Sequence, residues 1–474
     1  MKAVAFLLFL ILVVQGLRDA RWATAIYIWQ ATFRPHEFPF GDRGGPSGDG
    51  YLTGPPWNLG MLGVMLLSWV LHARQMPPRV TKLMPLMTLN IVILCIACLL
   101  GQNTIANQIT LQAIVQKAIT FYVFCFVACD PDRWQFYVRA FAISLGMTGV
   151  TGFVNQVVLD GYARFDHAEI LGPGGDISDR NDFAMNLGIA CAMLVPIALG
   201  ENRWLYRLTY LGMGGMSAIL AMMSGSRGGA LGLILAMCYA LARLHHKRWF
   251  VAMSVAGGLA FAAQLPPSFY ERIFGVKTAA TADPSAMGRI CAWRAGAIMA
   301  KQHTFGIGPG AWASRIKRYE IQGCPAATAP HSHIYGMLGE AGYPGAVVWA
   351  LVMMAAYYYA SRAEKKLVKV GQRRTELWYH VIAVRCGYIP FALSGMFLSC
   401  QYHETFFILM CCCGVADNVA DQTTKRVEAE QEEERRLEEE RRRESLVAPP
   451  PQPMVAQGPP GGYPPGGYPG YPGA

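Results

Sequence analysis

The sequence predicts an all-α polytopic membrane protein with a large outer loop and a disordered C-terminal tail. Three observations carry that prediction. The 474-residue chain is 53% hydrophobic and only 15% charged, with a positive mean hydropathy, which is too apolar for an ordinary soluble enzyme. Its apolar residues fall into runs close to the ~20 residues that cross a bilayer as a helix. Its Lys and Arg residues collect in short connections between those runs, so the net charge of +10 reports topology rather than a nucleic-acid surface.

In order, the run 3–17 behind Lys2 resembles a signal peptide in length. Charged Arg18, Asp19 and Arg21 follow it instead of a small-residue cleavage site, so it is expected to be a retained helix. The run 22–33 is short, either a half-helix or an interfacial one. Residues 34–56 form an outer loop rich in Gly and Pro. Spans are expected at 57–73, 83–100, 110–129, 134–159, 183–199, 205–223, 228–242 and 249–264, then at 343–360, 377–399 and 405–420. About 12 or 13 crossings result. The basic connections 74–82, 203–207, 243–248 and 362–374 face the cytoplasm by the positive-inside rule, which puts 34–56, 160–182, 265–342 and the turn at Arg227 on the opposite side.

The expected organisation is a membrane domain over 1–420 that includes the large loop 265–342, a charged cytoplasmic helix over 421–446 and a disordered segment over 447–474. Acids in the second piece precede bases at i+3 and i+4, as a solvated helix requires. Pro-Gly-Tyr repeats in the third cannot bury a core. Most of the 13 cysteines lie inside apolar runs as small buried hydrophobes. Cys324 lies in the polar loop, where Cys291 and Cys400 are both conceivable partners. No Cys/His spacing supports a zinc site.

Three constellations could carry chemistry. Ser224-Gly225-Ser226-Arg227-Gly228-Gly229 places an arginine at a membrane boundary, where charge is costly unless used; a snorkelling turn residue is the plain alternative. In the loop, Asp283 and Pro284 open an amphipathic helix that puts Arg289 and Trp293 on one face with Arg294 nearby. Converging arginines suit a diphosphate, although a basic face against lipid headgroups would look the same. Gly306-Ile307-Gly308-Pro309-Gly310 then forbids regular helix and would let backbone N–H groups approach a ligand, with Arg315 beyond it. The third constellation is His331-Ser332-His333 at an expected helix start capped by Thr328, where the helix dipole would keep a histidine neutral for general-base work. Two ordinary loop histidines are its alternative.

Together and in this order, these residues resemble the O-antigen ligase and polymerase family of membrane glycosyltransferases. The resemblance rests on Ser226-Arg227-Gly228, on Arg289-x-x-x-Trp293 followed by the glycine turn, on His331-Ser332 with Gly342 and Gly345 downstream, and on Asn181-Asp182-Phe183-Ala184. It covers roughly 172–349; the Arg34-Pro35-His36 loop is more like the exosortase-associated O-glycosylation ligases of that family.

The resemblance implies transfer of a glycan from a polyprenyl-diphosphate donor to an acceptor hydroxyl of a lipid core, polysaccharide or protein at the periplasmic face of the bacterial inner membrane, with no cofactor and no metal. Arg227 and Arg289 would hold the diphosphate and His331 would activate or orient the acceptor, while Arg294, Arg315 and His333 are added as substrate-binding candidates by proximity. Asp176, Asp179 and Asp182 could in principle hold a divalent metal, but Asp179-Arg180 also reads as a neutralised loop pair. The competing class is a secondary transporter using the arginine cluster as an anion site. Transporters tend to show internal repeats, and none is visible here.

Overall fold

The computed structural model describes residues 2–33, 57–75, 79–101, 105–128, 130–154, 179–244, 284–319, 321, 324 and 329–447. The expected span at 249–264, the loops at 34–56 and 160–178, Asp176, Thr328 and the tail from 448 lie outside them. Two compact units are present, Met1–Thr424 and Lys425–Ala474. The protein is all-α, with no strand among the described residues.

Each helix begins or ends where local chemistry changes. The first nine are α1 (Lys2–Arg18), α2 (Ala20–Phe33), α3 (Trp57–Leu71), α4 (Met84–Leu100), α5 (Ile105–Val127), α6 (Pro131–Phe153), α7 (Arg180–Gly200), α8 (Trp204–Met223) and α9 (Arg227–Arg243). The loop contributes α10 (Pro284–Gln302) and the one-turn α11 (Trp312–Arg315), and the chain closes with α12 (His333–Lys369), α13 (Glu376–Gly395) and α14 (Glu404–Val447). Side-chain caps satisfy the orphan N–H groups at several starts: Asp130 at α6, Asp179 at α7, Ser226 at α9, Ser332 at α12 and Thr375 at α13. On length and composition, α5, α7 and α12 are long and apolar enough to cross a membrane, and α4 and Leu59–Leu71 are shorter apolar helices.

The bundle is organised around α7, which is hydrophobic all round and buried from Phe183 to Ala198. α6, α8, α9 and α13 pack against it. Gly229 of α9 lies so close to Ala184 that a Cβ there would sit 2.6 Å from the alanine methyl group, the small-residue approach by which membrane helices pack.

Two clusters of charged groups within the bundle are paired. Glu364, 5% exposed, is ion-paired with Arg385 and lies 3.6 Å from Arg243, while the Arg385 guanidinium sits over the Tyr239 and Tyr357 rings. The fully buried Asp417 accepts from Lys82 at 2.6 Å and Lys366 at 2.5 Å. Arg243 ends α9, whereas the turn at Arg227 begins it.

Helix boundaries differ from expectation at several places, most clearly at α12. The span expected at 343–360 belongs to a helix that starts ten residues earlier, because Ser332 caps at His333, and the chain then breaks at Gly342 (φ 67°, ψ −165°) inside α12. A Cβ at Gly342 would overlap the Thr304 carbonyl, so the break is where α12 lets the loop pass.

Candidate active site

Five segments converge at one end of the bundle. The α8–α9 turn is built by its own serines: Ser224 Oγ accepts from the Ser226 N–H at 3.2 Å and Ser226 Oγ accepts from the Gly229 N–H at 3.2 Å. Gly225 takes φ 65°. Arg227 is therefore the first residue of α9, half-buried. A cation is unfavourable at the positive end of a helix, so this position favours an arriving anion.

α10 carries the second arginine. Arg289 is half-buried, and Trp293, one turn on, stacks on Tyr335 with ring centroids 5.3 Å apart and planes 7° from parallel. Trp293 also meets Phe397 at 6.2 Å, and Phe397 in turn lies 3.8 Å from the position a Cβ of Gly228 would take. One aromatic chain thus connects the residue after Arg227, the helix of Arg289 and the segment after His331. The disulfide Cys291–Cys324 fastens α10 to the stretch that leads to His331. Of the two partners open to Cys324, the structure selects Cys291; Cys400 is a free buried thiol.

His331 is half-buried and has φ 44°. Among described non-glycine residues only Arg374 shares a positive φ, and such strained backbone collects at functional sites. The imidazole pKa is lowered from its ordinary 6.5, first by burial and second by the Arg289 guanidinium, while the Asp179 carboxylate opposes them. These influences place His331, Arg289 and the N-cap of α7 in one neighbourhood.

The helix-start reading needs correction here. Ser332, not Thr328, is the cap, accepting from the Tyr335 N–H at 3.4 Å. His331 precedes the helix, and its pKa is lowered by burial first and by Arg289 second.

His333 is placed elsewhere. It is the first residue of α12, 3% exposed, with its ring 4.3 Å from that of Trp349 and its Nδ1 3.8 Å from Cys400 Sγ. It is packed in the core. Arg294 is exposed and, five residues from Arg289, lies roughly 140° around α10 from it. Arg315 ends α11, half-buried.

The glycine turn is also corrected. Gly306, Gly308 and Gly310 all take positive φ, but their N–H groups are already used. Gly306 donates to the His303 carbonyl at 2.7 Å, Ile307 to Gly339 at 3.0 Å, Gly308 to the Glu340 carbonyl at 2.9 Å and Gly310 to Glu340 Oε1 at 3.0 Å. No phosphate cradle is open there. The glycines instead allow close approach to Asn107 and Thr110 of α5 and to Glu340.

Sequence reasoning missed Glu340, whose buried carboxylate also accepts from the Trp312 N–H at 3.3 Å and so fixes the loop core of Met299, Ile307, Trp312 and Tyr319. A signal existed: it is the lone acid in 321–363. It also missed the end of α13 and the turn after it, where Ser394 Oγ donates to the Gly228 carbonyl at 3.1 Å and Ser399 Oγ accepts from the His331 N–H at 3.0 Å. Serines ending an apolar helix carry no such signal.

Asp179 uses its carboxylate to cap α7, accepting from the Asn181 N–H at 2.7 Å. Among the described residues no group of three or more His, Cys, Asp or Glu side chains is placed to hold a metal ion.

Comparison with known families addresses this same region. Residues 212–350, from α8 through the loop to the first half of α12, match a family model described as O-antigen ligase. That segment is similar to the O-antigen ligase family. The O-antigen ligase match contains Arg227, Arg289 and His331 and stops before Ser394. Glycan transfer of the ligase or polymerase type is the activity the family implies. No curated protein matches the chain.

Proposed function

We propose that the protein transfers a glycan from a polyprenyl-diphosphate carrier to an acceptor hydroxyl on the outer face of the cytoplasmic membrane. The observation that carries the reading is His331, in a left-handed conformation with its pKa lowered by burial and by Arg289. The acceptor oxygen attacks the anomeric carbon, the bond from that carbon to the diphosphate oxygen breaks, and its electron pair leaves with the carrier. The hydroxyl proton passes to the free imidazole nitrogen of His331. Arg289 and Arg227 stabilise the charge that grows on the departing diphosphate, a role suited to a planar guanidinium.

Donor binding and base strength are coupled in this arrangement. Without donor, the Arg289 charge discourages protonation of His331. A bound diphosphate compensates that charge, so the imidazole gains basicity when a donor is in place. The test is transfer by the purified protein between a lipid-diphosphate-linked glycan and a hydroxyl acceptor. One carrier diphosphate should be released per glycan transferred. Anion exchange in proteoliposomes without glycan transfer would overturn the reading in favour of a transporter.

The Cys291–Cys324 bridge supports an oxidising, outer location for the loop. In a background lacking the other cysteines, an impermeant maleimide is expected to label this pair in intact cells only after treatment with an impermeant reductant. A cysteine placed at Gln431 should stay unlabelled until the cells are opened. Labelling of Gln431→Cys from outside would invert the proposed topology.

A further inference from the structure

We propose that Ser399, in the turn after α13, is a positioning residue for the proposed base His331. The inference rests on the reading of His331 given above. A histidine at φ 44° is held only where its surroundings over-determine it. The α12 cap does not do this, since Ser332 directs its side chain forward to Tyr335 and its carbonyl accepts from the Gly336 N–H. The His331 N–H turns instead to Ser399 Oγ at 3.0 Å, 68 residues away in sequence.

The same turn grips the next residues as well. Cys400 Sγ lies 3.8 Å from His333 Nδ1, and Gly395 leaves the space that His333 fills, where a Cβ would overlap the ring. His331 and His333 are therefore held from one side by 395–400, with Ser332 as the cap between them. Through Ser394 on the Gly228 carbonyl and Phe397 on Trp293, this turn also sets the two arginine-bearing segments against the histidine. It lies beyond residue 350, where the O-antigen ligase match ends, so the match does not account for it.

The experiment grades the acceptor at position 399 and reads kcat, donor KM and amide exchange of the 329–336 peptide in the full-length protein. Ser399→Ala should lower kcat about 10- to 100-fold, the scale of a slight misplacement of a reacting group, with donor KM changed by less than about 3-fold. Ser399→Thr keeps the hydroxyl and should stay near wild type. Ser399→Cys, a weak acceptor, should fall between them. Exchange at His331 should quicken in the same order.

In the double variant His331→Ala/Ser399→Ala, activity should equal that of His331→Ala alone, because Ser399 acts through the histidine. Equal losses for Thr, Cys and Ala would show that bulk rather than hydrogen bonding matters and would overturn the proposal; if the alanine variant does not fold, the Thr and Cys pair decides. Independent, additive losses or unaltered exchange at His331 would overturn it too. Full activity in His331→Ala would sink the catalytic reading instead, and the exchange measurement would still report on the hydrogen bond.

Discussion

Replacing His331 by alanine is expected to lower the transfer rate by roughly 100- to 10,000-fold, the usual contribution of a general base, while leaving binding of the lipid-linked donor in place. Donor binding survives because the proposed diphosphate ligands, Arg227 and Arg289, lie on other segments. The pH profile gives a second check. The base works unprotonated, so activity is lost as pH falls through the His331 pKa. That pKa is lowered, so the acid limb of kcat/KM, which reports the free enzyme, should lie below 6.5. The limb of kcat should lie at higher pH than that of kcat/KM, since bound diphosphate offsets Arg289. An active His331→Ala enzyme, or two limbs in the reverse order, would remove the histidine from the chemistry.

Arg289→Ala should cost about 30- to 1000-fold in kcat/KM, equivalent to about 2 to 4 kcal/mol for a charge-assisted contact at a partly desolvated site. Arg289→Lys should be intermediate, retaining charge without the bidentate fork. The alanine variant should also shift the acid limb of kcat/KM upward, because the cation that lowers the His331 pKa is gone. Lost turnover with an unmoved acid limb would separate Arg289 from His331, and wild-type turnover in Arg289→Ala at equal protein level would return α10 to a headgroup-binding role. Arg294, exposed on another side of α10, is the natural comparison and should tolerate alanine.

Helix positions were legible because the apolar runs end at strong signals: Asp130-Pro131, Asp179, Ser226 and Thr375 each cap a helix within a few residues of its expected start. Arg227, Arg289 and His331 stand out in the sequence as candidates because arginine and histidine are expensive at such places. What the residues touch was harder to read. The glycine turn looks the same in sequence whether it cradles a phosphate or wraps a buried carboxylate, and only the distant Glu340 decides between them. Thr328 and Ser332 are both adequate cap residues, for helices starting four residues apart, so the sequence leaves the register of the histidines open. The turn from Ser394 to Cys400 was invisible because its role depends wholly on long-range contacts.

The bond from Ser399 to His331 also bears on synthesis. A ribosome adds about 5 to 20 residues per second, so the 68 intervening residues emerge over several seconds. During that interval α12 and α13 must insert as a hairpin before the histidine has its anchor. A nascent or truncated chain that stops short of residue 394 would hold both arginines and the histidine, yet lack the contact that sets the imidazole. Catalytic competence would then arrive late in translation, near the completion of the last membrane hairpin, so lipid-linked glycan would not be consumed by unfinished chains.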